Sequence, residues 1–160
     1  MGRVLQLLME HFMSEQALVT ITRQSGYQFL VDFGKGLPDW LADEPVPLGQ
    51  GTGPSPDAML MAALANRLSA NLLFALQKFK QDPGTLVATA TPTVERNEHK
   101  RLRIIGIRVQ IALGRAAAEI EHLERVLPQF EEFCTVSMSA REGIPIAVEV
   151  TDSSGATLKG

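Results

Sequence analysis

The segment from Ser55 to about Lys80 most constrains what this chain can fold into. Ser55-Pro56-Asp57 has the form of a helix start: serine placed to cap, proline favoured in the first turn, and aspartate facing the positive end of the helix dipole. Projected as a helix, the residues that follow are apolar or small around most of the circumference. The exceptions form one polar stripe of Arg67, Asn71 and Lys78 at spacings of four and seven, flanked by Asn66 and Gln77. Such a helix belongs in the interior of a fold or at an interface. At 160 residues the chain is one ordinary domain in length, and a single small sheet would leave much of this helix bare. A second subunit is therefore expected to cover it.

The remaining segments predict strands and short helices. Leu18–Thr22 and Tyr27–Phe33 flank Ser25-Gly26 as a hairpin, with Tyr27, Phe29, Val31 and Phe33 alternating onto one face. Between Gly34 and Pro56, prolines and glycines mark an irregular connection anchored by Trp40 and Leu41. Thr85–Glu95 and Leu102–Leu113 read as paired strands, the second with Ile105, Ile107, Val109, Ile111 and Leu113 on one side and Ile104, Arg108 and Gln110 on the other, joined by a charged tip at Arg96–Arg101. Arg115–Leu127 has the spacing of an amphipathic helix through Ile120, Leu123 and Leu127, and Gln129–Ser139 that of a shorter one. Ile144–Thr151 alternates as a last strand. This order predicts an α+β fold, with an extension at 1–16, a domain at 17–151 and a polar tail at 152–160.

Composition excludes several classes. With 45% hydrophobic and 21% charged residues and a net charge of −3, the chain is globular, without the general positive field of a nucleic-acid binder. No nucleic-acid or membrane partner is expected. A single cysteine, Cys134, rules out an internal disulfide and fits a cytoplasmic setting. Glu10 and His11 cut the N-terminal apolar run short of a bilayer span. Residues 1–12 read equally as an upstream start or as a short amphipathic helix. His11, His99 and His122 show no metal-ligand spacing, and no cofactor fingerprint is present.

Two ordered blocks carry a family resemblance. Pro47-Leu48-Gly49-Gln50-Gly51-Thr52-Gly53-Pro54-Ser55-Pro56 with Met59-Leu60-Met61-Ala62-Ala63-Leu64, and, about 80 residues on, Phe133-Cys134-Thr135-Val136-Ser137 with Gly143-Ile144-Pro145-Ile146 and Val148-Glu149-Val150, resemble the OsmC/Ohr superfamily. The resemblance spans roughly Ala17–Thr151. It implies two small antiparallel sheets around a long buried central helix, an intertwined homodimer and a pocket between its subunits. In active members two cysteines there reduce organic hydroperoxides with a dithiol reductant.

The resemblance also exposes a departure. Active members carry the peroxide-attacking cysteine where Arg67 stands here, while Cys134 matches the second, resolving cysteine. A guanidinium cannot become a sulfenic acid. Asp57 matches an acidic residue that in active members helps hold a catalytic arginine, although a helix-dipole partner is the simpler reading. Arg23 lies in the region of that arginine without a motif to fix the match. Arg67 has two readings, since a buried charge needs a partner: an ion pair or hydrogen-bond network with protein groups across the dimer interface, or, with Asn71, the wall of a pocket for an anionic small molecule. Lys78 reads as a solvated lysine at the helix end.

Three functions follow as expectations. The first is a non-peroxidase relative whose interface pocket takes an anionic or amphipathic small molecule through Arg67. The second is a thiol-dependent organic hydroperoxide reductase using Cys134 alone. The third is a structural module whose pocket is filled by its own side chains.

Overall fold

In the computed structural model of the chain, which describes residues 18–130, 139–140, 142, 150–151 and 157–159, the alternation between Tyr27 and Phe33 becomes the central strand of a three-stranded sheet. β1 (Thr20–Ser25), β2 (Gln28–Asp32) and β3 (Trp40–Ala42) lie in that order, all antiparallel. Ile21 pairs with Val31, and Leu30 with Leu41. Gly26 takes φ +49° at the β1–β2 turn, a left-handed conformation open to glycine at little cost. Trp40 and Leu41, expected only as anchors, add this third strand, and the Trp40 ring meets Phe33 edge-on at 5.1 Å. Val31 and Ala42 are buried, whereas every residue of β1 is exposed.

The proline- and glycine-rich connection is organised around Asp43, only 2% exposed. Its carboxylate accepts hydrogen bonds from the backbone N–H groups of Glu44 (2.9 Å), Gln50 (3.1 Å) and Thr52 (3.1 Å) and from the Thr52 hydroxyl (2.8 Å). Gln28 Nε2 donates to the Thr52 hydroxyl at 2.8 Å, and Ser25 donates to Gln28 Oε1 at 2.7 Å. A directed hydrogen-bond chain thus ties the first hairpin to the loop. The Asp43 N–H donates to Pro54 O at 3.3 Å, and a Cβ on Gly53 would strike the Leu41 carbonyl. Burial pushes the Asp43 carboxyl up, but the bonds from Thr52, Gln50 and Glu44 outweigh it and hold the group below its ordinary value of 3.8. A carboxylate lowered in the folded state stabilises the fold above its unfolded pKa, and that contribution disappears as pH falls through the folded value. Asp43→Ala should therefore lower the thermal midpoint at neutral pH more than Asp43→Asn, which keeps one acceptor oxygen. Both should lose part of the wild-type protein's acid sensitivity below about pH 4; equal melting curves for all three would contradict this role.

The chain divides into two compact units, Met1–Leu60 and Met61–Gly160. The helix α1 (Pro56–Lys78) begins in the first and continues into the second. Ser55 Oγ accepts the Ala58 N–H at 3.2 Å, the cap expected of it. By length and composition α1 could cross a membrane, a property it shares with the core helices of α+β folds.

In the second unit β4 (Leu86–Arg96) and β5 (Leu102–Leu113) form a long antiparallel hairpin. Asn97 closes its tip, its side-chain oxygen accepting the N–H groups of His99 and Arg101. The pairing passes from Thr93–Gly106 to Val94–Ile104 and leaves Ile105 unpaired. This bulge reverses the alternation beyond it. Ile107, Val109, Ile111 and Leu113 share the inner face as expected, but Ile104 joins them while Ile105 is 58% exposed, a correction to the sequence expectation. Leu72, Leu76, Ile120 and Val126 form the buried cluster, with Leu86, Ile111, Leu113 and Phe130 packed against it.

The helix expected over Arg115–Leu127 does not form. The segment is a 3-10 turn at Ala117–Glu119 and a single helical turn, α2 (Leu123–Val126). Ile120 is extended, and His122 has φ +64°. Tertiary contacts override helix propensity here: the Glu121 N–H donates to Gln81 Oε1 at 3.0 Å, and the His122 ring packs on Phe79 at 4.8 Å. Breaking the helix buries Ile120 and Val126, while Leu127 is left exposed. At the C-terminus β6 (Val150–Thr151) pairs with β7 (Thr157–Lys159). The expected strand residues 144–149, most of the stretch Gln129–Ser139, and the extension at 1–16 lie outside the described residues.

Candidate functional site

The periodicity of α1 decides which side chains can serve a ligand. Met61, Leu64, Leu68, Leu72 and Leu76 form its buried stripe. With 3.6 residues per turn, Arg67, Asn71, Phe74 and Lys78, spaced four, three and four apart, fall together on one flank beside that stripe. Phe74 is 40% exposed, Asn71 half-buried and Arg67 exposed. Arg67 makes no hydrogen bond or ion pair among the described residues. In the single chain Arg67 is exposed, so the burial and the partner expected of it would have to come from a second subunit. The buried stripe is only one residue wide, and Leu60, Leu73 and Phe74 are exposed around it.

Polar atoms along the helix are left unsatisfied. Asn71 Nδ2 and Ser69 Oγ are both buried with no hydrogen-bond partner among the described residues, a costly state for donors shielded from water. Lys78 is exposed in the last turn of α1 and holds its Nζ 4.6 Å from the centre of the Phe74 ring, a cation–π contact. The flank therefore presents a guanidinium, an unpaired amide donor, an aromatic ring and an ammonium in line.

Of the sequence-expected site residues, the structure brings Arg67 and Asn71 together on adjacent turns. Asp57 stands exposed in the first turn of α1, where its charge complements the helix dipole. Arg23 sits in exposed β1, its Nε donating to Gly26 O at 3.0 Å. Cys134 lies outside the described residues. Asp43, Phe74 and Ser69 were not singled out from the sequence. An aspartate entering a loop rich in glycine was a signal for Asp43, since such side chains bond nearby backbone N–H groups. Nothing in a run of apolar residues marked Phe74.

On the inner side of α1, an open apolar hollow of about 440 Å³ lies between Leu64 and Leu68 and the inner face of β5, with Phe130 at its wall. Among the described residues it offers side chains for packing and none for acid–base chemistry.

Comparison with known proteins gives a consistent picture. A family model described as OsmC-like protein matches residues 49–149. No curated protein sequence matches the chain. Among solved structures, an OsmC-like protein of unknown function from Vibrio cholerae is similar with a TM-score of 0.64 at 17% identity, covering 78% of this chain and 93% of its own. An organic hydroperoxide resistance protein OsmC from Legionella pneumophila gives 0.63 at 16%, covering 80% and 90%. The organic hydroperoxide resistance protein OhrB of Bacillus subtilis gives 0.57 at 16%, covering 78% and 90%. At these identities the structural likeness concerns the fold, which is α+β with small antiparallel sheets and a long helix.

Proposed function

The chain belongs to the OsmC-like protein family, and from that premise we propose that it is a non-peroxidase member, a homodimer whose interface pocket binds an anionic small molecule through Arg67 and Asn71. One observation carries the reading: an exposed guanidinium without a partner among the described residues stands one turn from Asn71 Nδ2, a buried donor that also has no hydrogen-bond partner among them. A carboxylate or phosphate group would satisfy both. Arginine suits this role because its planar fork binds two acceptor oxygens at once. The residue that relatives need for attack on a peroxide is a thiolate, and with Cys134 as the single cysteine the chain cannot close an internal disulfide. Asp57 acts here as a helix-dipole partner. The reducing setting that a lone cysteine tolerates is the cytoplasm.

Calorimetric titration with octanoate and with inorganic phosphate tests the reading. At least one should bind, and Arg67→Ala should weaken it by about tenfold to a hundredfold, the equivalent of losing one charged hydrogen bond of about 1.5–3 kcal/mol. In parallel, the wild type should consume cumene hydroperoxide with dihydrolipoate no faster than buffer does. Turnover abolished by Cys134→Ser would overturn the proposal in favour of the one-cysteine hydroperoxide reductase.

A further inference from the structure

The segment Arg115–Leu127 holds more helix-forming sequence than it uses. It contains neither glycine nor proline, and Ala116-Ala117-Ala118-Glu119 and Leu123-Glu124-Arg125 are residues that favour helix. A start signal is formed as well: the Ala116 N–H donates to Glu119 Oε2 at 3.0 Å, the return bond of a capping box. The chain nevertheless leaves the helical path after one 3-10 turn, extends at Ile120 (φ −121°, ψ 112°) and turns at His122 with φ +64°. That left-handed conformation is unfavourable for a residue with a side chain. Two contacts hold it there from the end of α1. Gln81 Nε2 donates to Phe79 O at 3.2 Å, which aims Gln81 Oε1 at the Glu121 N–H, 3.0 Å away. The His122 ring lies 4.8 Å from that of Phe79.

The same residues fit a second arrangement with little change in what is buried. As folded, Ile120 and Val126 are buried and Leu127 is 48% exposed. On a continuous helix Leu123 and Leu127 follow Ile120 onto one face, while Val126 turns away from it. One leucine then replaces one valine in the cluster with Leu72 and Leu76. Such a helix also sets Glu121 four residues before Arg125, a stabilising order, where Arg125 now pairs with its neighbour Glu124 at 3.8 Å. We infer that Arg115–Leu127 is a conformational latch with two arrangements, closed as described and released as one helix when the Gln81 and Phe79 contacts are lost. An extended residue spans ~3.3 Å and a helical one ~1.5 Å, so release shortens the segment. Phe130, whose N–H donates to Val126 O at 3.1 Å, moves with it. Because Phe130 walls the hollow beside Leu64 and Leu68, the latch sets the width of that hollow. The device is separate from the Arg67 site.

Two substitutions at one position test the latch in the full chain. His122→Ala and His122→Gly both remove the ring, but alanine favours the helix and glycine the left-handed conformation. Gln81→Leu, which removes the acceptor of the Glu121 N–H, is the third variant. His122→Ala should move the Cα chemical shifts of Ile120 and Glu121 to the helical side and shift the Phe130 ring resonances. It should also add about two turns of helix, ~7 residues, to the far-ultraviolet circular dichroism. Gln81→Leu should change both in the same direction, and His122→Gly should leave them as in the wild type. Equal responses of His122→Ala and His122→Gly, or an Ile120 that stays extended in all three variants while only the melting midpoint falls, would show a segment with one arrangement and overturn the latch. Should His122→Ala lose its cooperative unfolding, Gln81→Leu decides by the same shifts: a helical change at Ile120 supports the latch, and none overturns it.

Discussion

Replacing Arg67 by cysteine is expected to give the protein a hydroperoxide-consuming activity that the wild type does not have. The chemistry needs two thiols. A thiolate attacks the distal peroxide oxygen, the O–O bond breaks, the alcohol leaves, and the sulfur is left as sulfenic acid; a second thiol then displaces water to form a disulfide, which a dithiol reduces. The sequence holds one cysteine, Cys134, which matches the second of these thiols in the family. Position 67 is where the resemblance puts the first, and it lies on α1 with its side chain exposed within the chain. Arg67→Cys should consume cumene hydroperoxide with dihydrolipoate at least about tenfold faster than the wild type, equivalent to ~1.4 kcal/mol of barrier. Adding Cys134→Ser should stop the cycle at sulfenic acid unless an external thiol completes it. An Arg67→Cys protein that is folded, reacts with a thiol reagent and still shows no turnover would mean that position 67 is not the place of the nucleophile.

Much of this architecture was legible in the residues, for identifiable reasons. The strands β2, β4 and β5 and the start of α1 follow from local rules, because alternation, hairpin tips and a Ser-Pro-Asp cap act within a few residues of themselves. Three features did not. The Ile105 bulge arises from the pairing register of two strands, which neither strand contains alone. The broken helix at Ile120–His122 is set by Gln81 and Phe79, some forty residues away, against a local sequence that favours helix. The solitary width of the buried stripe on α1 depends on how far β4 and β5 extend over it, so a helix apolar around most of its circumference was legible but the exposure of Arg67 was not. For the site, the spacing of Arg67, Asn71 and Lys78 fixed their common flank. The missing partner of Asn71 Nδ2 and the Lys78–Phe74 contact depend on rotamers and neighbours that spacing does not determine.

A pair of leucines, three residues apart on α1, separates what the chain buries by itself from what a second copy would bury. Leu76 has no exposed surface and sits in the cluster with Leu72, Ile120 and Val126. Leu76→Ala should cost about 2–5 kcal/mol through lost transfer and a cavity that tight packing cannot close, lowering the midpoint by roughly 10 °C in a chain of this size, at every protein concentration. Leu73 is 36% exposed in the single chain, and truncating a surface leucine of a monomer changes stability by only about 0.5 kcal/mol. If a second subunit covers the outer side of α1, Leu73 is an interface residue. Leu73→Ala should then lower the midpoint by several degrees, make it fall further on dilution because folding and association are linked, and raise the monomer fraction in light scattering. A wild-type protein that scatters as a monomer, with a Leu73→Ala midpoint equal to its own at every dilution, would rule out the covering subunit and with it the interface pocket.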